Sequence, residues 1–222
     1  MAKEDFWSAR QASWAYLSER HPSRVAVVLQ LFEFLDKCVD EYEGKADSDP
    51  YARICGLTLL KAKNIAYGSL SLLLDALGQE AGALLRPFIE YTELLTYFRQ
   101  FPEEVEKAAE NDLPKAGKRA KAIGGLHQEF RDHLNEHASH SSYSHYSLSH
   151  LLTPDLTFRK SQKFVPHVLN RNLADWAVQV WFLLHEAILG LQHLNFNRLV
   201  ELATAADRLK GRMIHVFELG AT

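Results

Sequence analysis

Apolar residues recur at three- and four-residue steps along most of this chain, the spacing that gathers them on one face of a helix. From Pro22 to Tyr42 the period is kept by Val25, Val28, Leu29, Phe32, Leu35 and Val39, and Pro22 stands where a helix can start. "GKADSDP" (44–50) interrupts the pattern. A second stripe over 51–77 holds Ile54, Leu57, Leu60, Ile65, Leu70, Leu73, Leu74 and Leu77, and Gly78 fits a C-terminal cap. Within 79–101, Pro87 should start or kink a helix, because it lacks a backbone donor and crowds the preceding turn.

Pro102 opens a short acidic helix over 102–112, and the basic, glycine-spaced stretch 113–125 reads as a connection or a weak helix. The helical period returns over 126–138. Residues 139–169 are rich in Ser, Tyr and His, with Pro154 and Pro166 as breakers, and predict a long irregular connection. Asn170 or Asn172 fits the cap of a last long helix, bent at Gly190 or at "NFN" (195–197). No stretch alternates as a strand does. The pattern predicts an all-α helical bundle of about five to seven helices, a single domain over 1–222. Residues 1–20, with Phe6, Trp7, Trp14 and Tyr16, form an N-terminal arm across the bundle or a dimer contact.

A chain of 222 residues is long enough to bury a sizeable core. Its formal charge of −3 gives no global drive toward nucleic acid or an anionic membrane, so phosphate binding needs a local basic patch. Cys38 and Cys55 lie far apart in helical sequence and read as reduced core thiols. The polar N-terminus does not resemble a secretory signal, and charge or histidine interrupts even the greasiest segment, so the expected location is cytoplasmic.

Candidate chemistry concentrates in "HLNEHASHSSYSHYSLSH" (133–150), which holds five histidines. On a helix over 123–141, Phe130 marks an apolar face with Ile123, Leu126 and Leu134 within about 40° of it. His137, His133 and His140 then border that face on one side, at about 20°, 60° and 80°. Glu129 and Glu136 lie beyond them, at about 100° and 120°. Imidazoles and carboxylates in such a stripe can hold a metal, so Glu129, His133, His137 and His140 form a candidate ligand set. Glu90 and Glu93 are the carboxylates a facing helix could add, with His185 a further partner.

A second constellation overlaps the first. In "RDHLNEH", Arg131 and His137 have the spacing of a metal-independent RNA-cleaving pair. The arginine would hold the scissile phosphate and the histidine would move the proton. On one continuous helix the two positions point about 120° apart. They converge only if the helix ends between them or if two copies share the site.

Arg86 and Glu90 are four apart in an apolar stretch and should pair, setting a polar floor under the histidine segment. Tyr91, Tyr97, Tyr143 and Tyr146 are candidates to line such a pocket, and Arg86, Glu90 and Tyr143 are the candidate ligand contacts. Lys115, Lys118, Arg119 and Lys121 form a basic run that is either solvated surface or a small phosphate patch. The chain has no Walker A loop, nucleophile elbow, zincin motif or Rossmann fingerprint.

The run "SLLLDALGQEAGALLRPFIEYTELLTYF", then "FPEEVEKA" and "LNEHASHSSYSH", resembles a family of uncharacterised bacterial all-helical proteins. That family is distantly similar to the HEPN (higher eukaryotes and prokaryotes nucleotide-binding) superfamily of helical bundles. The resemblance covers roughly residues 55–150. Arg86 and Glu90 match its helix pair, and His137 or His140 its later histidine. It implies a homodimer, and either nucleotide binding or RNase activity, with Arg131, His137 and His140 as the candidate catalytic residues. Three readings stand at this point: a HEPN-like protein binding nucleotide or RNA, a metal-binding bundle, and a non-catalytic interaction scaffold. The cofactor and the question of catalysis stay open among them.

Overall fold

The computed structural model describes residues 7–125, 127–137, 151–152, 155–158 and 163–220, the side chains at 133 and 135–137 excepted. Among them are nine α-helices: α1 (Ser8–Arg20), α2 (Pro22–Glu43), α3 (Pro50–Leu74), α4 (Gly78–Gln100), α5 (Val105–Ala109), α6 (Ala116–Ala122), α7 (Gln128–His137), α8 (Pro166–Gly190) and α9 (Leu199–Phe217). The expected all-α class is observed, with more helices than the five to seven expected. The excess has two sources. The stretches before and after Pro114 each close a helix, of five and seven residues. The last long helix is also cut in two. It ends at Gly190 in a 3-10 turn, Leu191–Leu194, and Asn195 takes a left-handed conformation (φ 49°) before α9 begins. "NFN" therefore breaks the helix rather than bending it.

Local chemistry explains most boundaries. The Asp49 side chain accepts hydrogen bonds from the backbone N–H of Tyr51 (2.8 Å) and Ala52 (3.3 Å), and Pro50 supplies the fixed φ of a first helical residue. At the other end of α3 the expected glycine cap is absent. The helix stops at Leu74, Ala76 takes the left-handed turn (φ 60°), and Gly78 opens α4. Neither Asn170 nor Asn172 caps α8, because Pro166 starts it a turn earlier. Asn170 instead donates to the Tyr16 hydroxyl at 2.8 Å, tying α8 to α1. Pro87 lies inside α4. An interior proline costs about 3 kcal/mol; the complete burial of Phe88 and Ile89 beside it offsets that cost.

The core is built around α8, which packs against α2, α3, α4 and α9, while α3 lies along α4. Trp176 of α8 is fully buried and donates through Nε1 to the carbonyl of Ala66 in α3 at 3.0 Å. Helix α1 lies on α2, α3 and α8. Arg10 clamps it to the end of α3 through a forked contact with Asp75 (Nε–Oδ1 2.6 Å, Nη2–Oδ2 2.5 Å) and through Ser71 Oγ. Cys38 and Cys55 are buried free thiols, and burial pushes each up to about 12, which keeps them protonated and unreactive. No described helix is long and apolar enough to cross a membrane. Of the connection expected over 139–169, the described residues before α8 are non-helical, with one isolated bridge between Leu152 and Phe158.

Candidate functional site

The polar face of α4 carries Arg86, Glu90 and Glu93, one turn or so apart. The expected Arg86–Glu90 pair forms, Nη1 to Oε1. Glu93 goes deeper: it is 2% exposed, and its Oε2 accepts from Arg131 Nη1 at 2.8 Å. Arg131 is 6% exposed, so both charges of this pair are out of water. Burial pushes the Glu93 carboxyl above its ordinary value, and the Arg131 guanidinium pulls it partly back.

Arg131 is inside because α7 turns a different face to the bundle from the one expected. His127, Arg131 and Leu134 are buried, at i, i+4 and i+7, while Phe130 is only partly buried. The buried face is thus rotated by roughly 60° from the Phe130-centred one, with Leu134 common to both. Ile123 also stands outside α7. It ends α6, and Gly124 (φ 83°) and Gly125 (φ 67°) make the left-handed turn that separates the two helices.

Three more groups complete the polar layer. Arg119 of α6 lies within electrostatic reach of Glu90, Glu93, Tyr97 and Arg131, and burial lowers its pKa. Its Nη1 donates to the Pro114 carbonyl at 2.5 Å. The Tyr97 hydroxyl donates to Glu104 Oε2 at 3.1 Å. Next to His127, Glu186 of α8 is held by Arg99, Nε to Oε2 3.0 Å. His127 itself meets Phe182 edge-on at 5.5 Å between centroids. Among the described residues, three buried atoms of this layer have no hydrogen-bond partner: Glu93 Oε1, Arg131 Nε and His127 Nε2. Such atoms are expensive to leave without partners in a dry interior.

The other sequence candidates distribute as follows. Helix α7 is unbroken from Arg131 to His137, so the two positions stay about 120° apart around its axis and the pair does not close through a helix end. The His133 and His137 side chains, and residues His140, Tyr143 and Tyr146, lie outside the described ones. Of the metal set, Glu129 is exposed. The carboxylates expected to assist it are otherwise engaged, Glu90 by Arg86 and Glu93 by Arg131, and His185 stacks on Trp181 at 5.0 Å. Among the described residues no group of three or more His, Cys, Asp or Glu is placed to hold a metal ion. His127 and Glu186 were not singled out by sequence. The signal for His127 was its i, i+4 spacing to Arg131.

His127 gives a pH prediction. Burial is the main cause that lowers its folded-state pKa. The unfolded chain takes up a proton near the ordinary value, about 6.5, and the folded chain only at lower pH. Stability from this group is therefore complete above that pH and falls as pH drops through it. Urea unfolding at pH 7.5 and 5.5 should show a smaller loss for His127→Gln than for the unsubstituted protein. Equal losses would mean that His127 is hydrated in the folded state.

Comparison with protein-family models, with curated proteins and with solved structures finds no match to this chain.

Proposed function

We propose that this chain is a HEPN-like helical protein, acting as a homodimer, that binds nucleotide or RNA at the α4–α6–α7 polar layer. The observation that carries the reading is the gathering of Arg86, Arg119 and Arg131, from three different helices, in a chain whose overall charge is negative. Guanidiniums suit phosphate because their donors form a planar fork that matches two oxygens. The layer also feeds the histidine segment directly, since α7 carries Arg131 and ends at His137.

RNA cleavage belongs to the same reading, with His137 or His140 as general acid or base and no metal. A continuous α7 requires that a second copy complete such a site, which is why the proposal includes the dimer. The test incubates the purified protein with single-stranded RNA, with and without chelator, beside His137→Ala and His140→Ala. Chelator-insensitive cleavage lost in one histidine variant supports catalysis. Nucleotide or RNA binding without cleavage supports a binding protein. Intact RNA throughout, with no binding of RNA or ATP, overturns the proposal.

A further inference from the structure

We infer that Arg119 is the residue of this layer that contacts the ligand's phosphate, while the other cations serve as its frame. The inference rests on the nucleotide reading above and assigns its anion contact. It follows from which charges are already answered. Arg86 pairs with Glu90, Arg131 with Glu93 and Lys107 with Glu104. Arg119 stands among these pairs, and among the described residues it pairs with no carboxylate and donates one hydrogen bond, to the neutral carbonyl of Pro114. The layer therefore carries one positive charge in excess, and that charge is partly buried.

A partly desolvated cation whose neighbouring carboxylates are already paired with other cations is costly, and an anion relieves the cost. Between α7 and α8 the chain's single carboxylate is Asp155, which is exposed. The Nη1 atom of Arg119 donates to Pro114, and the remaining Nε and Nη2 edge is the fork that can meet two oxygens of one phosphate. Lys115, Lys118 and Lys121 are exposed on and beside the same short helix, and their field favours a multiply charged anion such as a phosphate monoester or diphosphate.

The experiment measures binding of ATP, inorganic pyrophosphate and a fluorescein-labelled single-stranded RNA to the full chain and to Arg119→Gln, Arg119→Lys and Lys118→Gln. Circular dichroism and thermal midpoints confirm that each variant folds. Arg119→Gln should weaken every bound probe about tenfold or more, because a charge-assisted fork is lost. It should also reduce the salt dependence of RNA binding by about one phosphate contact. Arg119→Lys keeps the charge without the fork and should fall between, and Lys118→Gln, which removes one exposed charge of the surrounding field, should weaken binding less than Arg119→Gln does. Binding unchanged in a folded Arg119→Gln overturns this inference and leaves the nucleotide reading standing. Arg119-dependent binding of pyrophosphate, with none of ATP or RNA, keeps the anion site and removes the nucleotide reading. No binding of any probe overturns both.

Discussion

Arg131→Met alone should lower the unfolding free energy by about 3–5 kcal/mol, the cost of leaving a buried carboxylate without its counter-ion. Glu93 is 2% exposed, so its charge has no route to water when the guanidinium is removed. The variant can recover part of the loss by protonating Glu93, whose carboxyl is already pushed up by burial. The sign follows: a raised folded-state pKa penalises the fold above that pKa and releases the penalty as pH falls through it. The destabilisation should thus be largest at neutral pH and shrink on acidification. Replacing both partners, Glu93→Leu with Arg131→Met, should restore most of the stability, because two desolvated charges give way to apolar packing. The double variant then separates frame from function. It should remain folded, and loss of nucleotide binding in it would show that the charges of Glu93 and Arg131 orient the layer around Arg119. A single substitution costing under about 1 kcal/mol would show that water reaches this pair after all.

The rest of the fold was legible where apolar spacing and turn chemistry agreed. Pro22, "GKADSDP" and the stripe from Ile54 onward located α2, the break and α3. Failures came where tertiary contacts overrode a local rule. Gly78 was an obvious cap by residue type, yet Ala76 takes the left-handed turn. Pro87 was an obvious interruption, yet the burial of its neighbours carries α4 through it. The expected caps Asn170 and Asn172 lie inside a helix that Pro166 begins, so a residue read as a breaker was in fact a start.

The site was legible only in part, and for a different reason. Arg86 and Glu90 sit four apart on one helix, so sequence spacing alone predicts their contact. Glu93 and Arg131 are 38 residues apart, and nothing local says that they meet. Centring the buried face of α7 on its apolar residues alone put Phe130 at its middle. The correct face contains an arginine and a histidine, His127 and Arg131, because a buried carboxylate waits on α4 to receive one of them. A long-range ion pair thus rotates a helix relative to its apolar pattern. The same blindness filed Arg119 with its exposed lysine neighbours, although it turns inward toward Glu90 and Glu93.

Gly190→Ala should destabilise the fold even though alanine is the better helix former. The exchange gains about 1 kcal/mol of helix propensity. Against that, a Cβ at Gly190 would stand 2.4 Å from the Tyr42 hydroxyl and 3.1 Å from that of Tyr51. Tyr42 has no room to retreat, being fully buried, and its hydroxyl donates to the Ala187 carbonyl at 2.8 Å. Two costs follow: about 1–3 kcal/mol for forcing atoms into a packed crossing, and a similar amount if the hydroxyl loses its acceptor. The net loss should be about 2–4 kcal/mol, read as a lower urea midpoint with an unchanged slope. Tyr42→Phe supplies the check, because it removes the nearest atom while keeping the ring. Combined with Gly190→Ala it should cost less than the two single changes added together, by at least about 1 kcal/mol, as contacting residues do. Strict additivity would place the clash elsewhere. The crossing matters beyond stability: α2, α3 and α8 meet at Gly190, and α8 also positions Glu186 beside His127. A shift of α8 to admit the new methyl should therefore also alter the pH dependence that His127 contributes, which ties the tightest contact of the core to the polar layer.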